Sequence, residues 1–264
     1  MHAQHAPDKA LMRRAFERAA PSYDVAARLQ REVCTQLGAM LDVVGTPPQY
    51  ILDAGSGTGF GTAVLSGRYP GVPVVELDIA HAMVCLSRAK HGGPFGVCGD
   101  IEHLPLAAQT FDLIFSNLAL QWAVHPDRAF AELRRVLRPG GWLLFSTLGT
   151  DTLWEMRAAF DGVDLHSHIN RFSDVAQIES QMRAAGWTSP TLTTKPAILR
   201  YATVREIMHD LKAIGAHNVT GTRPPGLMGK AKWRQVAMNY EARRSEQMLP
   251  ATYEVIYAAA RRTD

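Results

Sequence analysis

Residues 51–60 read "ILDAGSGTGF", a short apolar run that ends on an acid and passes into glycines at alternate positions. An apolar run closed by a breaker predicts a buried strand ending at Asp53. Gly55, Gly57 and Gly59 predict a loop in which backbone N–H groups approach a ligand or φ turns positive. The spacing is G-x-G-x-G, with Phe60 where the dinucleotide fingerprint G-x-G-x-x-G has its third glycine. The loop therefore favours a ligand other than a dinucleotide, as does the acid two places before the first glycine.

Outward from this loop, apolar runs alternate with helical stretches. "VPVVELD" (72–78), "FDLIFSNLAL" (111–120) and "GWLLFSTLG" (141–149) read as further strands. "GTAVLSGRY" (61–69), "HAMVCLSRAK" (81–90) and "HPDRAFAELRRVL" (125–137) read as helices, and "RPGG" (138–141) as a turn. Alternation of this kind predicts an α/β fold with a doubly wound, mostly parallel, Rossmann-like sheet. Upstream, residues 8–45 carry helical signals broken at Pro21-Ser22, a helical cover closed by "GTPPQ" (45–49). Downstream, "SDVAQIESQMRAAG" (173–186) reads as a helix begun by Ser173 or Asp174, and "PTLTTKPAIL" (190–199) as a strand interrupted by Pro196. "TVREIMHDLKAIG" (203–215) has Thr203 and Glu206 in capping-box spacing and its apolar residues on one face. After "GTRPPGLMG" (221–229) comes a helix around "KAKWRQVAMNYEARR", and "ATYEVIYAAA" (251–260) closes as a strand. The expectation is one domain, with a core of 49–196 and 249–264 and a helical lid inserted over 197–248.

Composition sets bounds. The chain has 264 residues, 47% hydrophobic and 20% charged, with a net charge of +3, which is too weakly basic to argue for nucleic acid. No stretch approaches the roughly 18 apolar residues of a membrane span. Cys34, Cys85 and Cys98 share no metal-ligand spacing and suit a reducing compartment. His166 and His168, two positions apart, make a poor metal pair. No secretory h-region is evident, and the expected location is cytoplasmic.

Together, Asp53 and the glycines resemble motif I of the class I S-adenosylmethionine-dependent methyltransferases. In that family the glycine loop wraps the methionine moiety, and the acid lies near its amino group. The resemblance implies that Asp78 accepts the ribose hydroxyls, with Ile79 and Met83 beside it, although Asp78 also suits a helix N-cap. It assigns the adenine amino group to Asp100 and the ring face to Ile101, and turns Asn117 toward the cofactor. All fall at carboxyl ends of strands, where open α/β sheets bind ligands.

The stretches "FERAAPSYD" (16–24), "SNLALQW" (116–122), "RVLRPGG" (135–141), "INRFSD" (169–174), "DLKAIGAHN" (210–218) and "LPATYEVIYA" (249–258) are more selective. In order, they resemble the malonyl-acyl-carrier-protein O-methyltransferases of biotin synthesis, from about residue 13 to 260. The resemblance implies methyl transfer from S-adenosylmethionine to the free carboxylate of a malonyl thioester, on acyl carrier protein or coenzyme A. That carboxylate is ionised at pH 7, so no general base is needed. In-line displacement needs nucleophile and methyl carbon held at ~3–3.5 Å, and a lid that excludes water would strip the carboxylate's hydration. Oriented donors are expected instead of a catalytic dyad. The candidates are Tyr23, His217 and Asn218 for catalysis, and Gln121, Trp122, Arg171 and Lys212 for substrate.

Five of them have a plainer reading: Tyr23 an anchor, Trp122 core, Arg171 a surface ion pair, His217 and Asn218 helix-end caps. An acidic carrier protein implies a basic face, for which Arg205, Arg223, Lys230, Lys232 and Arg234 are candidates. Two other readings stay open. One is a class I methyltransferase for another small molecule. The other is a protein similar to the respiratory complex I assembly factors that bind the same cofactor and are described as arginine hydroxylases.

Overall fold

The computed structural model describes residues 8–93, 95–163, 170–214 and 229–264. Its centre is a seven-stranded sheet in the order β3-β2-β1-β4-β5-β7-β6. The strands are β1 Ile51–Ala54, β2 Val74–Asp78, β3 Phe95–Cys98, β4 Phe111–Asn117, β5 Leu137–Leu148, β6 Thr191–Tyr201 and β7 Leu249–Arg261. β1 to β5 pair in parallel, while β7 runs antiparallel to β5 and β6. The helices are α1 Lys9–Ala19, α2 Tyr23–Ala26, α3 Arg28–Gly38, α4 Phe60–Arg68, α5 His81–His91, α6 Pro126–Val136, α7 Trp154–Phe160, α8 Val175–Ala184, α9 Val204–Ala213 and α10 Lys230–Glu241.

The central strands are apolar without alternation because helices cover both faces. Ile51, Leu113, Phe115 and Leu144 pack in one cluster with Val33 and Leu37 of α3, Leu65 of α4, Met156 of α7 and Tyr240 of α10. Their neighbours Leu52, Ile114, Leu143 and Phe145 face the other side, against Phe130 and Leu133 of α6 and Ile178 and Met182 of α8. The chain runs outward from β1 to β3 and then returns to β4 on β1's other side. That reversal opens a crevice beyond the carboxyl ends of β1 and β4.

Three local expectations change. Pro196 does not interrupt its strand: β6 is continuous, pairs only with β7, and is an edge strand, where a residue lacking N–H is tolerated. The inserted helical segment therefore starts after Tyr201 and not at 197. "RPGG" is no separate turn; it opens β5 as an irregularity in which the register passes from Phe111↔Leu137 to Leu113↔Trp142, with Gly140 at φ +81°. α7 was not legible, since its N-cap Leu153 makes no side-chain capping bond.

Capping chemistry settles two helix starts. Asp174 begins α8: its Oδ1 accepts the Gln177 N–H at 2.7 Å, and Gln177 Oε1 accepts the Asp174 N–H at 3.1 Å. Thr203 Oγ1 accepts the Glu206 N–H at 3.2 Å at the start of α9, but Glu206 Oε2 reaches one residue further back, to the Ala202 N–H at 3.0 Å.

The N-terminal helices lie across the crevice as a cover. The Glu17 carboxylate accepts the first free N–H groups of α5, from His81 at 2.7 Å and Ala82 at 3.1 Å, so it caps that helix from another element. Asp24 accepts the Thr58 hydroxyl at 2.5 Å and pairs with Lys90. Phe16 meets Trp122 edge to face, with centroids 5.3 Å apart.

Candidate active site

Between the cover, the strand ends, α9 and the start of α10 lies a cavity of about 1310 Å³. Drug-sized ligands occupy pockets of roughly 300–1,000 Å³, so this one has room for two reactants side by side.

The glycine loop forms one wall. Gly55, Gly57 and Gly59 have φ of +79°, +53° and +96°, a region that glycine alone enters at little cost. Gly55 and Gly57 line the cavity, and a Cβ on Gly55 would stand 2.2 Å from Ala119 Cβ. Gly59 lies outside the lining, where its Cβ would meet Ser87 Oγ at 2.3 Å.

Asp78 faces the cavity from the end of β2. Its Oδ2 accepts the Gly57 N–H and its Oδ1 the Ala80 N–H, both at 2.9 Å. Burial pushes its carboxyl up to about 6, against the pull of these backbone bonds. Because Glu17 caps α5, Asp78 ties the glycine loop to the following turn and keeps its remaining lone pairs for the cavity.

Asp53 is a correction to expectation. It is 1% exposed, does not line the cavity, and receives the Thr62 hydroxyl at 2.8 Å beneath the loop. Burial, with repulsion from Glu76 paired beside it in the sheet, pushes its carboxyl up to about 7. A raised carboxyl keeps its proton in the folded chain where the unfolded chain has released it. The stability it contributes therefore falls as pH rises from about 4 toward 7. Asp53→Asn is expected to flatten this part of the stability–pH curve measured by urea unfolding; an unchanged slope would exclude Asp53 as its source.

Further along the cavity, Asp100, Ile101 and Glu102 form its lining beside Lys9. The Lys9 ammonium donates to Asp100 Oδ2 at 2.5 Å and lies 2.8 Å from Glu102 Oε2. Burial would raise the Asp100 carboxyl, but the Lys9 bond, the Glu102 N–H and the Lys9 charge outweigh it and hold it below the usual range. Ile79 and the buried Met83 complete this wall.

Tyr23 also lines the cavity, against Gly57. Burial and the negative Asp78 and Asp24 push its hydroxyl far above the ordinary tyrosine range, so the phenol keeps its proton. Asn117 and Gln121 line the cavity, yet both amides are largely committed. Asn117 donates to the Gln30 carbonyl at 3.0 Å and accepts the Ser146 hydroxyl at 2.9 Å. Gln121 donates to the Leu118 carbonyl at 2.6 Å. Trp122 and the exposed Lys212 are lining residues too. Arg171 is exposed and outside the lining, while its neighbours Asn170 and Phe172 face the cavity. His217 and Asn218 lie outside the described residues, as do Arg223, His166 and His168.

Lys9, Glu102, Gln30, Asn170 and Tyr253 line the cavity without having been singled out in the sequence. For Asn170 the signal was its place in "INRFSD"; the others carry no local pattern. No cluster of three or more metal-ligating side chains occurs among the described residues, and no helix there is long and apolar enough to cross a membrane.

Residues 52–145 match the family model described as a methyltransferase domain. The YcgJ protein of a Bacillus species superposes with a TM-score of 0.62 at 16% identity, covering 86% of this chain and 98% of that one. A putative methyltransferase of Bacillus halodurans C-125 gives 0.61 at 16%, over 87% of this chain and 100% of that one. At such identity these neighbours establish the fold alone. A malonyl-[acyl-carrier protein] O-methyltransferase of Gallionella capsiferriformans is 48% identical over 262 residues, 96% of this chain and 90% of that protein. The chain belongs to this family. The family's member from Laribacter hongkongensis is 45% identical, over 96% of this chain and 89% of that one. The biotin biosynthesis bifunctional protein BioHC of Cellvibrio japonicus is 41% identical, over 96% of this chain and 50% of that protein. The α/β fold expected from the alternation of strands and helices holds, and so does the enzyme class that the resemblance implied: this is a Rossmann-like O-methyltransferase.

Proposed function

We propose that the chain transfers the methyl group of S-adenosylmethionine to the free carboxylate of a malonyl thioester on acyl carrier protein, an early step of biotin synthesis in the cytoplasm. The observation that carries the reading is identity of 48% and 45% along nearly the whole chain to proteins named for that activity.

The residues present fit the cofactor. The cavity offers a glycine cradle that a Cβ at Gly55 would fill, the Asp78 carboxylate, and two buried acceptors without a partner among the described residues, Gln30 Oε1 and Asn170 Oδ1. An orphaned buried acceptor costs about 1–3 kcal/mol, which ligand N–H or O–H groups relieve. S-adenosylmethionine, when bound, supplies an electrophilic methyl group on a sulfonium. Gly55, Gly57 and Asp78 would hold its methionine and ribose portions, and Asp100 and Ile101 its base. The chain's remaining work is orientation. Tyr23 would offer a hydrogen-bond donor, and the apolar side chains of Leu153, Met156 and Phe160 in the lining would help to keep water from the reacting groups. Lys212 reaches the same cavity from an exposed position, where its charge attracts a carboxylate without pairing it so tightly that nucleophilicity is lost. Methyl label from S-adenosylmethionine recovered as a base-labile ester on the malonyl group supports the reading; intact cofactor binding without transfer rejects it.

A basic face supports carrier docking. Arg205 on α9 and Lys230 and Arg234 on α10 are exposed, and Arg18, Lys212 and Lys232 line the cavity. α10 has no acid in its first turn. Cations there oppose the helix dipole, a cost of some 0.3–1 kcal/mol each that attraction to an acidic partner would offset. The Lys230→Glu/Arg234→Glu variant is expected to raise KM for malonyl-carrier protein about tenfold while sparing malonyl-pantetheine. An equal rise with both substrates would remove the docking face.

A further inference from the structure

The N-terminal cover does more than roof the cavity, and the reason lies in one lysine. Lys9 is the first residue of α1, next to the N-cap Asp8, a position where the helix dipole disfavours a cation. Its ammonium nevertheless turns inward, to Asp100 Oδ2 at 2.5 Å and Glu102 Oε2 at 2.8 Å. Glu102 is 1% exposed, and its other oxygen accepts the Val124 N–H at 2.6 Å, just past the Leu120–Trp122 turn. Asp100 Oδ1 accepts the Glu102 N–H at 3.0 Å. One cation thus serves two carboxylates of a single loop, and through Glu102 it reaches the segment that carries Gln121 and Trp122. Phe16, two turns further along α1, packs on Trp122 itself.

We propose that Lys9 is a positioning residue for the cofactor: it holds Asp100 as an acceptor at the base end of the cavity and, through Glu102, aligns the Gln121–Trp122 segment, so that docking of α1 and binding of the cofactor are one event. The inference rests on the cofactor reading above. Without Lys9 two carboxylates, one of them fully buried, face each other with no cation between them. Like charges so placed cannot both stay ionised cheaply, so one takes up a proton as pH falls. The pair shares that proton, and whenever it sits on Asp100 a hydroxyl stands where an acceptor is needed. His103 also stands near Asp100, its Nδ1 3.9 Å away, but its side chain is 68% exposed, so water screens it. Arg128 and Glu132 lie on the outer side of Glu102, across a shallow surface depression.

The test is calorimetric binding of S-adenosylhomocysteine to the full chain and to Lys9→Met, Lys9→Arg and Glu102→Gln, each checked for a folded thermal transition. Lys9→Met is expected to weaken binding about tenfold near pH 8, the value of one lost charge-assisted hydrogen bond. The ratio of its dissociation constant to that of the unmodified protein should grow as pH is lowered toward 6. Titration of Asp53 and Asp78, common to both proteins, cancels in that ratio. Lys9→Arg should restore most of the affinity, and ligand should protect α1 from proteolysis in the unmodified chain but not in Lys9→Met. Glu102→Gln, with one carboxylate fewer to neutralise, should show a flatter pH ratio than Lys9→Met. Folded Lys9→Met that binds like the unmodified protein at every pH, or a uniform loss that Lys9→Arg does not rescue, overturns the proposal. An unmodified chain that binds no S-adenosylhomocysteine would instead overturn the cofactor reading.

Discussion

Asp78→Ala is expected to lower the affinity for S-adenosylhomocysteine by on the order of a hundredfold or more, at two charge-assisted hydrogen bonds of about 1.5–3 kcal/mol each. The carboxylate has two tasks. It offers acceptors into the cavity, and it holds the Gly57 N–H at 2.9 Å, which fixes the middle of the glycine loop. Alanine removes both and leaves that N–H to find water. Asp78→Asn keeps one acceptor oxygen, so it should fall between alanine and the unmodified chain. With its carboxyl near 6, Asp78 also predicts a pH effect. Ligand hydroxyls favour the ionised form, so affinity should drop as pH falls below about 6 and stay level above it. Calorimetry across pH 5 to 8 reads both effects. Unaltered affinity in a folded Asp78→Ala protein would remove this residue from the cofactor site.

The second large effect is expected at Gly55→Ala. Its φ of +79° disfavours any L side chain, by about 1–2 kcal/mol. The added Cβ would also sit 2.2 Å from Ala119 Cβ, an overpacking that typically costs 1–3 kcal/mol. The two together predict a loss of about 2–5 kcal/mol in stability or in closure of the loop, and no measurable cofactor binding. The double variant Gly55→Ala/Ala119→Gly separates them. Removing the opposing methyl relieves the clash but not the φ strain, so it should recover part of the loss and not all. Full recovery would mean that backbone conformation at Gly55 is unimportant; no recovery would mean that the Ala119 contact is.

What could be read from the chain and what could not divides by distance along it. Asp53 to Gly59 is a local pattern, a strand end followed by glycines, and local patterns survive folding. Even there the role of Asp53 shifted, because alternation along β1 turns it under the loop toward Thr62, away from the cavity. Arg171 also stands away from the cavity. Its neighbours Asn170 and Phe172 line the cavity while Arg171 itself is exposed, a one-residue difference that spacing along the chain does not settle. Asn117 and Gln121 were rightly placed at the end of the fourth strand, but their amides bind the protein's own backbone, which spacing cannot foresee. Lys9 left no trace at all: its partner Asp100 lies 91 residues away, and a lysine on a helical surface pattern looks like any other solvated charge. The mostly parallel, doubly wound sheet followed from the alternation of strands and helices, whereas its strand order did not, and the long edge strand through Pro196 required knowing that β6 has one neighbour.

The central claim concerns which group receives the methyl. Malonyl-carrier protein and acetyl-carrier protein differ by one free carboxylate, so incubating each with the full chain and S-adenosylmethionine, then weighing the intact carrier, isolates that group. Malonyl-carrier protein is expected to gain the mass of a single methyl group, lost again on mild alkaline hydrolysis, while acetyl-carrier protein stays unchanged. Equal methylation of both carriers, or none of the malonyl form by protein that demonstrably binds the cofactor, would contradict it.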